Sequence, residues 1–221
     1  MDLTHSETLF EALCQQEGFP LRRVPRREGV RTPDYLVGPL FKRIVAEVKQ
    51  LEPNAEEREK QAAMDAGHIV TFGGTPGERV RKAIDDGYPQ LREMTHGCRP
   101  GILVLYDNVH LPHIHLDPYA IKVGMYGLEQ VLIAPATDGS VRSRFVDIVF
   151  GPKRKVGPER NRALSAVCHL YRDAADHVGL EVFHNVYAAA PLKPARLAGS
   201  AIRHHQLAVK QPGVSQEWVR I

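Results

Sequence analysis

Apolar and polar positions change period several times along the chain, and each change marks a boundary between elements. Residues 4–16 carry Leu9, Phe10 and Leu13 at helical spacing. Thr4, followed three residues later by Glu7, has the form of a capping box, and Gly18 stands where such a helix would stop. Three short stretches of strand character follow at 21–25, 34–37 and 43–51, with Gly29 and Gly38-Pro39 as turns. After Pro53 a charged helical segment runs from Asn54 to Ala66, and Gly67 and Gly73-Gly74 bracket an extended piece over 69–72. A longer helical pattern over 77–95 carries Val80, Ile84 and Leu91, and Gly87 and Pro89 predict a kink or split within it.

The unbroken apolar run Gly101-Ile102-Leu103-Val104-Leu105-Tyr106 predicts a central strand buried on both faces. Further strands are expected at 130–134, 145–150, 164–170 and 180–188, with a short helix at 119–126. The tail after Pro191, rich in basic, small and proline residues, either wraps the body or stays mobile. This order of elements predicts an α/β domain whose mixed β-sheet is flanked by helices.

One strand carries candidate chemistry. In Ile44-Val45-Ala46-Glu47-Val48-Lys49 the side chains alternate, so Ile44, Ala46 and Val48 share one face while Glu47 and Lys49 point together from the other. Taken alone, this is an amphipathic strand with a weak surface ion pair. Thr32-Pro33-Asp34 opens the preceding strand, twelve residues separate Asp34 from Glu47, and the Gly38-Pro39 turn lies between them. If the two strands pair, Asp34 is carried towards Glu47, and Pro33, which has no N–H to give a ladder, suits an edge or bulge. Two convergent carboxylates suit a hard cation such as Mg²⁺, and a lysine beside them stands where negative charge would grow during attack on a phosphodiester.

Pro33-Asp34, twelve residues, then Glu47-Val48-Lys49 resembles the motif of the PD-(D/E)xK nuclease superfamily. The helix bearing Glu7 ahead of Gly18-Phe19, the later helix with Gln90-Leu91 and the strand over 102–106 extend the likeness to residues 4–107. The resemblance implies a restriction-endonuclease-like αβββαβ core over 1–107, with further strands in a C-terminal extension, 108–221, packed on the same domain. It implies Asp34, Glu47 and the main-chain carbonyl of Val48 as ligands of Mg²⁺, or Mn²⁺, with Lys49 as the catalytic lysine. Glu7 would be an outer metal or water ligand, unless it serves only as the reciprocal cap of Thr4. The activity implied is a Mg²⁺-dependent endo- or exonuclease whose partner is nucleic acid, DNA ahead of RNA. Many relatives pair to cut two strands, so a homodimer is among the expected arrangements. The competing class is a nuclease-like fold that only binds nucleic acid or protein.

Composition changes this picture little. Twenty-nine basic against 26 acidic residues give a net charge of only +3. The distribution says more. Arg22, Arg23, Arg26, Arg27 and Arg31 fall within ten residues, and Lys153, Arg154 and Lys155 form a second cluster, so both are candidate phosphate contacts. Three scattered cysteines in no CxxC pair indicate neither a disulfide framework nor a cysteine zinc site. With no apolar run of about 20 residues and no signal-like N-terminus, a cytoplasmic protein without membrane contact is expected. His110, His113 and His115 crowd together near Asp107 and Asp117, but Pro112 and Pro118 place them on an irregular loop without metal-site spacing.

Overall fold

The computed structural model describes residues 3–25, 29–109, 115–135 and 143–221. Helix α1 (His5–Gln16) starts on Thr4, whose hydroxyl accepts from the Glu7 N–H while the Glu7 carboxylate accepts from the Thr4 N–H. Three strands follow, β1 (Leu21–Arg23), β2 (Tyr35–Val37) and β3 (Ile44–Leu51), joined as antiparallel neighbours. Helices α2 (Ala55–Asp65) and α3 (Glu78–Thr95) lead to β4 (Gly101–Asp107), which returns parallel to β3. Then come α4 (Pro118–Tyr126), a separate hairpin of β5 (Glu129–Ala134) and β6 (Arg144–Phe150), and strands β7 (Leu164–Arg172), β8 (Val178–His184), β9 (Ile202–Leu207) and β10 (Trp218–Arg220).

Among the described residues the main sheet has eight strands in the order β1-β2-β3-β4-β7-β8-β9-β10. It mixes parallel and antiparallel pairs, with β4 lying parallel between β3 and β7. Alternation along the central strands divides the interior in two. Ile44, Ala46, Val48, Ile102 and Val104 face α1, packing on Phe10 and Leu13. Val45, Leu103, Leu105 and Val167 face α3 and α4, packing on Ile84, Leu91 and Ile121. The expected mixed sheet flanked by helices is present, and β4 is the doubly buried strand that its apolar run predicts.

The structure refines three local expectations. The extended piece over 69–72 joins no strand among the described residues: Ile69 is 99% exposed, Phe72 meets the Lys60 ammonium, 5.3 Å from its ring centre, and α2 before it buries no residue. Gly87 and Pro89 do not split α3, which runs as one helix of 18 residues. Buried Val80 and Ile84 on one side and Leu91 on the other hold it to the sheet, and this outweighs the one backbone bond that proline forfeits. The tail after Pro191 takes the first of its two expected courses, wrapping the body, and does so by supplying two strands. β9 lies parallel to β8, and β10 pairs antiparallel with β9, so the C-terminal half completes the same sheet. No helix among the described residues is long and apolar enough to cross a membrane.

Helix α4 seats on α3 through two glycines. Gly77, in left-handed conformation at φ 70°, caps α3, and a Cβ there would stand 2.4 Å from the Gly124 nitrogen. Gly77→Ala is therefore expected to cost roughly 2–4 kcal/mol, from backbone strain and overpacking together. Gly67→Ala, at φ 84° with nothing within 4 Å, should cost only about 1–2 kcal/mol. Chemical denaturation of both variants reads the difference, and equal losses would show that the helix contact does not matter.

Candidate functional site

Strand β2 is shorter than β3, and among the described residues it pairs with β3 only from Ile44 to Ala46. Beyond Ala46, β3 keeps β4 as its partner on one side, and among the described residues no strand pairs with its other edge. Pro33 ends the ladder on that side because it has no N–H to donate. Asp34 then reaches across the gap, its Oδ2 accepting from the Val48 N–H at 2.9 Å. In an extended strand the N–H and C=O of one residue point the same way, so the Val48 carbonyl also faces this open edge. Sequence alternation thus sends Glu47 and Lys49 to the α3 face, and the short β2 brings Asp34 beside them.

Helix α3 roofs the site at Gly87. A Cβ on that residue would lie 2.7 Å from Cδ1 of Leu103, with Cγ of Glu47 at 3.4 Å and Cε of Lys49 at 3.8 Å, so a side chain there would have to push Leu103 aside for the helix to stay this close. One turn on, Gln90 faces the same cavity, which measures about 540 Å³ and is lined by Asp34, Glu47, Val48, Lys49, Glu7 and Arg31 among others. On the other side, Gln50 ties the start of α1 to the motif strand, its Oε1 accepting from the Ser6 N–H at 2.8 Å. Glu7 is at once the reciprocal cap of Thr4 and a wall of the cavity, so both roles expected of it are structurally open. Glu11, one turn further, pairs with Arg23 at 2.6 Å instead.

Glu47 is 2% exposed. Its Oε1 accepts from Lys49 Nζ at 2.7 Å, while Oε2 is buried with no hydrogen-bond partner among the described residues. Burial, then the neighbouring Asp34 charge, push this carboxyl up to about 7, against the pull of Lys49. A buried charged oxygen without a donor costs at least about 1–3 kcal/mol, so either a proton or a cation is called for at this point. A hard divalent ion fits that requirement. It favours oxygen ligands, and Asp34, Glu47 and the Val48 carbonyl converge on one edge of one strand. Among the described residues there is no group of three or more His, Cys, Asp or Glu side chains able to hold a metal, so such a site would draw on the main chain and on water.

The basic candidates divide by location. Arg22 lies opposite Leu36 on the α3 face of the ribbon, and Arg31 stands at the mouth of the cavity. Arg23 points the other way, to Glu11 on α1. Lys153 and Arg154 are exposed in the segment between β6 and β7, and Lys155 pairs with Asp85 of α3. Arg26 and Arg27, like His110 and His113, lie outside the described residues. His115 sits between Asp107 at 3.2 Å and Glu57 at 3.3 Å, and the Asp107 hydrogen bond raises its pKa. Sequence reading passed over Lys122, whose helical spacing to Tyr126 looks ordinary. Its ammonium is nonetheless buried, reaching Glu129 at 3.3 Å, Glu217 at 3.1 Å and the Gln216 carbonyl at 2.9 Å, and so ties α4 to the C-terminal tail.

Comparison of the chain with models of known protein families, with curated proteins and with solved structures found no significant match. The site therefore rests on its own geometry.

That geometry gives a pH signature. A carboxyl raised in the folded state contributes stability that is present below its ordinary value near 4.5 and lost as pH rises through about 7. Glu47→Gln removes this liability. In metal-free buffer it should gain roughly 1–3 kcal/mol over the parent at pH 8, shrinking towards nothing near pH 5. Urea denaturation across that range checks it, and a difference independent of pH would contradict the raised carboxyl.

Proposed function

We propose that the chain is a metal-dependent nuclease with a restriction-endonuclease-like core, hydrolysing phosphodiester bonds in nucleic acid, DNA rather than RNA. The observation that carries this reading is the meeting of Asp34 and Glu47 at the open edge of β3. Lys49 lies 2.7 Å from the Glu47 carboxylate in the same cavity. The order of elements up to β4, a helix, three antiparallel strands, helices and a parallel strand, agrees with the resemblance of the motif, with α2 as an addition.

In this reading Asp34, Glu47 and the Val48 carbonyl hold Mg²⁺ or Mn²⁺. When bound, the ion supplies Lewis-acid polarisation of a phosphoryl oxygen and lowers the pKa of water. The protein's own groups do the rest. The Val48 N–H fixes the Asp34 carboxylate, and burial under α3 keeps Glu47 in place. Lys49 sets positive charge beside the position where the attacked phosphate gains negative charge. Arg31 at the mouth and Arg22 beyond it face the approaching backbone, and the Lys153-Arg154-Lys155 segment adds a second basic surface on the α3 side.

A second reading has one observation in its favour, the absence of three metal-ligating side chains among the described residues. On that reading the fold binds nucleic acid or a protein without cutting.

Asp34→Ala, Glu47→Ala and Lys49→Ala should each lower Mg²⁺-dependent cleavage of DNA roughly 10²- to 10³-fold while unfolding cooperatively like the parent. Full activity in any of them, in preparations free of contaminating nuclease, overturns the assignment. Calorimetric titration with Mn²⁺ separates the two readings. The nuclease binds the ion through Asp34 and Glu47, whereas a pure binding module shows no heat that those substitutions abolish.

A further inference from the structure

A second cleft opens beside the catalytic cavity and shares Val30, Arg31 and Thr32 with it. Its floor is apolar: Val24, Leu36 and Met94 back onto the hydrophobic interior between the sheet and α3. Cross-strand pairing sets Arg22 directly against Leu36, so a guanidinium stands beside the apolar floor, and Arg31 guards the passage between the two spaces. Met94 follows Gln90 by one helical turn, so a single face of α3 lines first the catalytic cavity and then the cleft. The volume is about 260 Å³, below the roughly 300 Å³ at which drug-sized pockets begin, and so suits one ring system rather than an extended ligand.

An apolar floor beside arginines is poorly matched to a phosphate and well matched to a flat heteroaromatic ring. Guanidinium planes stack on nucleobases, and a methionine thioether makes favourable contact with aromatic rings. A base inside a duplex cannot reach such a cleft without leaving its stack. That extrusion costs a few kcal/mol, least where the base is already unpaired. We infer that the cleft seats the nucleobase next to the scissile phosphodiester, and that the substrate is DNA with an unpaired nucleotide at the cutting position, a single strand or the mouth of a frayed duplex. This rests on the nuclease reading, with Arg31 bridging from the phosphate in the cavity to the base in the cleft.

The test uses the full chain and two DNA probes of equal length, one single-stranded and one fully paired, each with 2-aminopurine in its centre. Binding is read by fluorescence in buffer without divalent ions, and cleavage is read separately with Mg²⁺. The single strand should bind about tenfold more tightly than the duplex and be cut faster. Met94→Glu should lower single-strand affinity about tenfold and leave duplex affinity unchanged, while Met94→Leu, which keeps the apolar floor and loses only the thioether contact, should lower single-strand affinity no more than about threefold. Equal affinity for the two probes, or equal weakening of both by Met94→Glu, overturns the cleft assignment even if cleavage proceeds. A retained preference for the single strand with no cleavage of either probe supports the cleft and overturns the nuclease reading alone.

Discussion

The arrangement depends on an unfinished ladder. β2 stops after three residues, and the edge of β3 beyond Ala46 loses its antiparallel neighbour. A bare strand edge is a liability, since its N–H and C=O groups must find partners. Asp34 meets part of that need by accepting from the Val48 N–H. The same contact fixes a carboxylate at the one place where the main chain, Glu47 and solvent come together. Lengthening β2 would satisfy the edge with backbone and remove the acid. The gap in the sheet is thus what makes room for the proposed metal site.

Electrostatic tension follows from that placement. Glu47 is buried beside a second acid and has one lysine as counter-charge, so its carboxyl is raised to about 7. Such tension is costly in an inert surface and useful where a cation or a proton is handled. Helix α3 sharpens it by covering Glu47, which is left 2% exposed. Gly87 lets the helix lie against Glu47 and Lys49, and buried Val80, Ile84 and Leu91 clamp it to the sheet despite Pro89. The same helix carries Gln90 and Met94, and so joins the cavity to the cleft that we assign to a base.

Apart from the basic Lys153-Arg154-Lys155 segment, the C-terminal half supplies support. β7 pairs with β4 and carries the sheet on to β10, so the strand next to β3 is buried between neighbours on both sides. The buried Lys122 cluster ties α4 to the C-terminal tail, and the histidine pair His184–His204, 2.9 Å apart, links the neighbouring strands β8 and β9. A polar group buried this deeply needs its partners, and each of these spans elements distant in sequence.

What the sequence determined by itself is what depends on neighbours along the chain. Period-two alternation sent Glu47 and Lys49 to one face and Ile44, Ala46 and Val48 to the other. The Thr4–Glu7 capping box marked the start of α1, and the apolar run at 101–106 marked the central strand. What only the tertiary structure decided involves partners far apart. The end of the β2 ladder at Ala46, the continuity of α3 through Pro89, the strands of the tail and the cleft between Arg22 and Met94 all belong here. Local propensity reads residues within a few positions of one another, whereas these features are set by which surfaces are buried against which. Asp34 shows the divide within one residue: its place before a strand was legible, and its hold on Val48 was not.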